Sequence, residues 1–365
     1  MSGFVKAASV GAVAGLCMIA LATPLKAQRG QGPAAPAAPV ANAAPAGDVI
    51  GVGTFIHSVS DANRSLAFYS DLFGAMPPAP RAFAPNEIVA TLYGTPGTPY
   101  RGGTIRIPST EIAGAEVGDW QGIERHPVRP TLQAPGAAIL LLSVRDLDPM
   151  LEIVKKNGGA VVTPGGAPKA FTSANAGPMK GRAVMVTDPD GFFIQLVQLD
   201  PLPESAAAAM TNVIGAGLAF TVGNADAATR FLHDALGFDA GVPAALYAAG
   251  GMSFVPATVS GAAMKSVATR VPGTAVPVEF LQVANAAGTA FQPTIRDPGA
   301  GMLRLRVRDI DTTFAKLKAA GGTTASANGE TVTFANGQRM VVMHAPDNFF
   351  IQPVMAAPIA APRPQ

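Results

Sequence analysis

The spacing of apolar residues along the chain changes period, and each change marks an element. In DANRSLAFYSDLFG, residues 61–74, Leu66, Tyr69 and Phe73 recur at helical spacing behind Asp61, whose carboxylate is placed to cap the first turn. Gly74 stops the run, as a helix-ending glycine does. The preceding GVGTFIHSV alternates with period two and predicts a strand. Further on, AAILLLSV reads as a second strand, and Asp148 to Asn157 as a second helix closed by Gly158-Gly159. Asp188-Pro189-Asp190-Gly191 then separates two apolar strands. Proline fixes φ and glycine accepts a positive one, so a β-hairpin is expected.

The whole series is written twice. Phe68, Asp71 and Gly74 match Phe231, Asp234 and Gly237, each 163 positions later. RPTLQAPGA (129–137) matches QPTIRDPGA (292–300), and Val144-Arg145-Asp146 matches Val307-Arg308-Asp309. VTDPDGFFIQLVQ (186–198) returns as MHAPDNFFIQPVM (343–355) at an offset of 157, so the second copy has lost six residues in the loop before it. A unit of about 150 residues has been duplicated, rather than a short solenoid period. Each unit halves again into a strand, a helix opening near Asp or Asn, and further strands separated by Gly/Pro turns. The expected organisation is a unit over 49–200, a linker over 201–211 and a second unit over 212–355.

A βαβββ half doubled within a domain, with an early strand-Asp-helix-Tyr-x-Asp-x-Phe-Gly segment and a final DPDG hairpin, resembles the vicinal oxygen chelate superfamily. That superfamily includes glyoxalase I, bleomycin-resistance proteins and extradiol dioxygenases. The resemblance implies an α+β fold of tandem domains, each made of two βαβββ modules whose mixed sheet curls into a cup with helices outside. Members with metal activity hold the ion at about four inward strand positions, mostly His and Glu. By motif those positions are Thr54, Glu116, Ile139 and Gln195 in the first unit and Gly217, Glu279, Met302 and Gln352 in the second. No histidine remains among them, and glutamine stands where a terminal glutamate belongs. One carboxylate with one neutral amide is a poor set for zinc, nickel or iron. The expectation is therefore no metal cofactor, with a divalent metal as the minority alternative.

Strand alternation assigns the faces. Phe192, Ile194 and Leu196 should pack on a helix, leaving Phe193, Gln195 and Val197 toward the cup; by the same parity Phe350 and Gln352 face inward in the second unit. Leu218, Phe220 and Val222 form the helix face of the second unit's first strand. Thr54, Ile56 and Ser58 line the cup in the first unit, which puts His57 on the helix side as a structural histidine. A carboxylate inside an apolar cup must be paired, protonated or wet. For Glu279 the expected partner is Arg304, on the same face as Met302; for Glu116 it is Arg106, and an outward Arg106 would leave Glu116 free for acid–base catalysis. The segment VGDWQGIERHPVRP (117–130) reads as a rim loop in which Trp120 either covers a ligand or packs on Pro127 or Pro130.

Composition narrows the function classes. Of 365 residues 48% are hydrophobic and 14% charged, enough for two packed domains, and the near-neutral net charge of +2 with scattered basic residues excludes a nucleic-acid partner. Residues 1–27 read as a secretory signal: one lysine, then an apolar run from Ala7 to Ala22, shorter than the roughly 20 residues a membrane span needs. The only cysteine, Cys17, lies inside it, so the mature protein would have no disulfide or thiolate chemistry. Residues 28–48 form a Pro/Ala-rich tether and 356–365 a tail. The reading is a periplasmic or secreted protein, with no membrane partner after cleavage, that takes a small organic molecule in a cup. The alternative is a metal-dependent lyase, isomerase or dioxygenase. A third class is a structural role with both cups self-filled, and self-association between domains is compatible with any of these.

Overall fold

The computed structural model describes residues 47–126, 131–173, 179–207, 209–244, 246, 251–256, 262–284 and 294–356. The expected signal segment, most of the Pro/Ala tether, Pro127 and Pro130, and nearly all of the tail lie outside the described residues. No described helix is long and apolar enough to cross a membrane.

Four modules follow one another. The first holds β1 (Val49–Ser58), α1 (Ala62–Phe73), α2 (Glu87–Leu92), β2 (Tyr100–Arg106) and β3 (Gly114–Trp120). The second holds β4 (Ala138–Val144), α3 (Leu147–Lys156), β5 (Ala160–Val161), β6 (Lys169–Ser173), β7 (Met179–Thr187) and β8 (Phe193–Asp200). After the short α4 (Glu204–Ala207), the third has β9 (Val213–Thr221), α5 (Ala225–Leu236), β10 (Val242–Pro243), β11 (Met264–Arg270) and β12 (Pro277–Val283). The fourth has β13 (Gly301–Val307), α6 (Ile310–Ala319), four two-residue strands β14 to β17 between Thr323 and His344, and β18 (Phe350–Met355).

Local chemistry forms these elements as the sequence suggests. The Asp61 side chain accepts the N–H groups of Asn63 and Arg64 at the start of α1, and Gly74 ends it at φ 64°. Asp146 and Asp309 cap α3 and α6 in the same way. Between β7 and β8 Gly191 turns at φ 87° and donates its N–H to Asp188 O, closing the hairpin.

The modules combine across the duplication. One nine-stranded mixed sheet joins the first module to the fourth, with β1 antiparallel to β13, parallel to β3, and β13 parallel to β18. The other joins the second module to the third, with β4 antiparallel to β9 and parallel to β8. This corrects the expectation that Thr54, Glu116, Ile139 and Gln195 surround one hollow. Alternation with period two dictates which face a side chain takes, but duplicated modules carry equivalent central strands, and nothing local distinguishes a partner in the same unit from one in the other.

The faces follow parity. Leu303, Leu305, Phe192, Ile194, Leu196, Leu218 and Phe220 belong to one continuous apolar core that joins the helix-bearing faces of both sheets. The opposite faces form two separate interiors. Ile56, Trp120, Met302 and Phe350 belong to the first cup; Ile139, Phe193, Val197 and Ala219 belong to the second.

Candidate functional site: two unequal cups

In the first cup Ile56 stands beside Glu116 on β3 and beside Met302 on β13, while Arg304 pairs in register with Gln352 on β18. Arg304 extends across β1, which it can do because β1 carries glycine there: a Cβ on Gly53 would come within 2.9 Å of Arg304 Cγ. Its guanidinium donates from Nη1 to Glu116 Oε2 at 2.7 Å, from Nη2 to Oε1 at 3.1 Å, and from Nε to Gln352 Oε1 at 2.5 Å. Thr54 Oγ1 lies 3.5 Å from the same carboxylate. Burial works against the charge on Arg304, but the adjacent Glu116 carboxylate more than offsets it and raises the guanidinium pKa.

Two expected ion pairs are thereby corrected. Arg304 binds Glu116, not Glu279, because its strand lies in the sheet of the first module. Arg106, at the end of β2, is exposed and makes no ion pair among the described residues, yet Glu116 is not left free, since the cation reaches it from the other unit.

A cavity of about 420 Å³ opens over this ion pair, lined by Tyr93, Tyr100, Glu116, Arg304, Phe334 and Met340, with Arg81 and Gln338 at its edge. Tyr100 lies flat on glycines of the paired strands β2 and β3. A Cβ on Gly102 would fall 2.2 Å from its hydroxyl, and one on Gly118 2.6 Å from its ring. Burial, reinforced by other nearby negative or ionisable groups, raises the pKa of both Tyr93 and Tyr100 well above the ordinary phenol value. Both hydroxyls therefore remain protonated at neutral pH.

Trp120 does not occupy a loop. It ends β3 and is buried, with its ring centroid 5.3 Å from Tyr93 and 5.4 Å from Tyr100. Alternation carries Glu116, Gly118 and Trp120 to one face, so the indole backs the tyrosine wall instead of covering the cup from a rim.

The second cup has the same plan with different contents. Glu279 is in register with Ala219, Ala219 with Ile139, Ile139 with Phe193, and Leu141 with Gln195. Leu246, Phe254 and Val255 pack into this interior with Leu141, Phe193 and Leu281. Gln195 and Glu279 are fully buried. Neither oxygen of Glu279 has a hydrogen-bond partner among the described residues, and burial pushes its carboxyl pKa up to about 8. The residue equivalent to Arg304 is Leu141, 163 positions earlier, and Glu279 makes no ion pair among the described residues.

On the helix side, His57 Nε2 lies 2.9 Å from Asp188 Oδ2, and the Tyr69 hydroxyl donates to that oxygen at 3.1 Å. The other nitrogen, Nδ1, is 3.3 Å from the carbonyl of Ala300. Asp188 Oδ1 accepts the N–H groups of Asp190 and Phe192, which shapes the hairpin turn. His57, Asp188 and Asp190 bring one potential ligand atom each within 4.8 Å, away from both cups and with their polar atoms already hydrogen-bonded.

The sequence pointed to Glu116, Arg304 and Gln352 but not to Tyr93, Tyr100 or Arg81. Tyr93 caps the six-residue α2, too short for a periodic signal. The signal for Tyr100 was there: Gly102 and Gly118, register partners on one face, leave a strip of sheet bare for a ring to cover.

Residues 51–196 match the sequence model of the Glyoxalase/Bleomycin resistance protein/Dioxygenase superfamily. A curated protein of Brassica oleracea var. gemmifera named "Putative lactoylglutathione lyase" is 25% identical over 185 residues, or 50% of this chain and 53% of that protein. The chain thus spans about half the length of the curated relative it matches. Among solved structures, glyoxalase I from Zea mays aligns with a TM-score of 0.51 at 12% identity, over 84% of this chain and 92% of that one. A "putative dioxygenase" from Bacillus subtilis subsp. subtilis aligns with a TM-score of 0.51 at 11% identity, over 86% and 87%. At such identities the structural likeness is one of fold. The sequence match to the glyoxalase/bleomycin resistance protein/dioxygenase superfamily thus covers residues 51–196, and the likeness in fold to glyoxalase I covers 84% of the chain.

Proposed function

We propose that the protein binds a small organic molecule in the first cup, without a catalytic metal, in a periplasmic or extracellular compartment. The observation that carries this reading is the position of Arg304. Both oxygens of Glu116 and the amide oxygen of Gln352 already accept guanidinium N–H groups. A divalent cation at the same positions would have to displace a charge-assisted three-point contact, and the other two positions, Thr54 and Met302, would offer it a hydroxyl and a thioether. The residues present do not fit a metal. They fit a ligand-bearing cavity of ordinary size, with apolar and aromatic walls and a few fixed polar groups.

In this reading Thr54, Glu116, Arg304 and Gln352 form the polar floor, and Ile56, Met302, Phe350 and Trp120 its support. Ile139, Phe193, Gln195 and Glu279 belong to a second cup filled by its own side chains, which serves stability. Glu116 is a positioning residue for Arg304 rather than a general acid or base.

The alternative, a divalent-metal-dependent lyase, isomerase or dioxygenase, is favoured by the names of the similar proteins. None of the four positions Thr54, Glu116, Met302 and Gln352 supplies an imidazole for it, and His344, stacked on Phe350, is not among the residues lining the cavity. A thermal-shift screen of small aromatic and aliphatic compounds separates the two readings, run on the wild type and on Met340→Trp, which fills the cavity. Compounds that stabilise the wild type and lose their effect in Met340→Trp support the proposal. Stabilisation that persists in the filled variant rejects it.

A further inference from the structure

We propose that the first cup selects small aromatic carboxylates, with arginines of its inner face and edge setting the preference for negative charge. The inference rests on the first cup being a ligand site and goes on to the class of ligand.

The charge inventory is one-sided. Among the described residues Glu116 is the only carboxylate lining the cavity, and Arg304 cancels it. Arg81 also lines the cavity, and its guanidinium has no ionic or hydrogen-bond partner among the described residues, leaving a net charge of one positive unit on the walls. Arg106 and Arg306 lie on the same inner face of the sheet, both exposed and both without an ionic partner among the described residues. Arg306 is fitted over Gly51, where a Cβ would meet its Nη2 at 2.8 Å. In the second cup the positions of Arg304 and Arg306 are held by Leu141 and Ser143, while the register places Arg270 where Arg106 stands in the first. The duplication therefore gave both cups one fold, and only the first of them the two arginines on its central strand.

The hydrogen-bond inventory agrees. The acceptors of the floor are occupied by Arg304, while the protonated hydroxyls of Tyr93 and Tyr100, the Arg81 guanidinium and the two remaining N–H groups of Arg304 can donate. A ligand complementary to this set presents acceptor oxygens and negative charge at one end. Its other end meets Tyr93, Tyr100, Phe334 and Met340, surfaces suited to an aromatic body.

Isothermal titration of the full chain with 2-naphthoate, 2-naphthamide and 2-naphthylmethylamine at neutral pH and low salt tests the inference. Naphthoate is expected to bind at least tenfold tighter than the amide, and the amine most weakly. In Arg81→Gln the carboxylate-to-amide ratio is expected to fall at least threefold, and an unchanged ratio counts against the role of Arg81. Amide affinity equal to that of the carboxylate, or tightest binding of the amine, overturns the charge preference while leaving the cup a ligand site. Binding of none of the three counts against the ligand-site reading itself.

Discussion

Arg304 and Glu116 come from different copies of the duplicated unit and meet in a two-point ion pair at 2.7 and 3.1 Å inside the first cup. The pair ties the two units together at the floor of the cavity. Their side chains retain only 17% and 20% of their exposure, so removing one partner strands a charge that water reaches poorly. Arg304→Met should destabilise the protein by about 3 kcal/mol, and the double variant with Glu116→Gln should recover much of that loss, since replacing both partners removes the uncompensated charge. Chemical denaturation of the two singles and the double measures the coupling.

Glu279 gives the stability of the protein a pH dependence of known sign. Its carboxyl is held protonated up to about pH 8 in the fold, against an ordinary value of 4.5 in the unfolded chain. Between these values the folded state binds the extra proton. The contribution is thus complete below 4.5 and is lost as pH rises through 8, with a slope of roughly 1.4 kcal/mol per pH unit at most. Glu279→Gln cannot ionise and should flatten this fall. Melting temperatures at pH 6 and pH 9 are expected to differ less in the variant than in the wild type.

Tyr100 depends on the bare glycines beneath it. Gly102→Ala places a methyl 2.2 Å from the phenol oxygen and 2.6 Å from the carbonyl of Val117, the second of which cannot swing away. The expected result is a loss of about 1–3 kcal/mol, as for overpacking of a fitted site, together with weaker ligand binding as the ring is displaced. Titration calorimetry and denaturation of the one variant report both.

His57 is expected to matter for folding and not for the cup. His57→Gln disturbs the contact with Asp188, a fully buried carboxylate that would keep only Tyr69 and the turn amides. A cost of about 2–3 kcal/mol is expected from the weakened charge-assisted bond. Ligand affinity of the folded fraction should equal that of the wild type.

Much of this molecule was legible in its sequence. Leu66, Tyr69 and Phe73 announced a helix, Asp61 and Gly74 its ends, and the two-residue alternation in FFIQLVQ placed Gln195 inward and Phe192 outward, as found. What alternation could not convey was partnership between strands. Arg304 was correctly given to an inner face, yet its counter-ion was misassigned, because β13 could pair in its own unit or across the duplication with equal local consistency. Tyr93 escaped for a different reason. A tyrosine after a six-residue helix reaches the cup through tertiary packing alone, which no periodicity records.

The central claim is that an arginine, not a metal ion, satisfies the carboxylate of the first cup. Elemental analysis of the purified chain, after equilibration with zinc, nickel, manganese and magnesium followed by desalting, tests it most directly. The account predicts well under one equivalent of any of these metals, with the same result for Glu116→Gln. One equivalent retained by the wild type and lost in Glu116→Gln would contradict it.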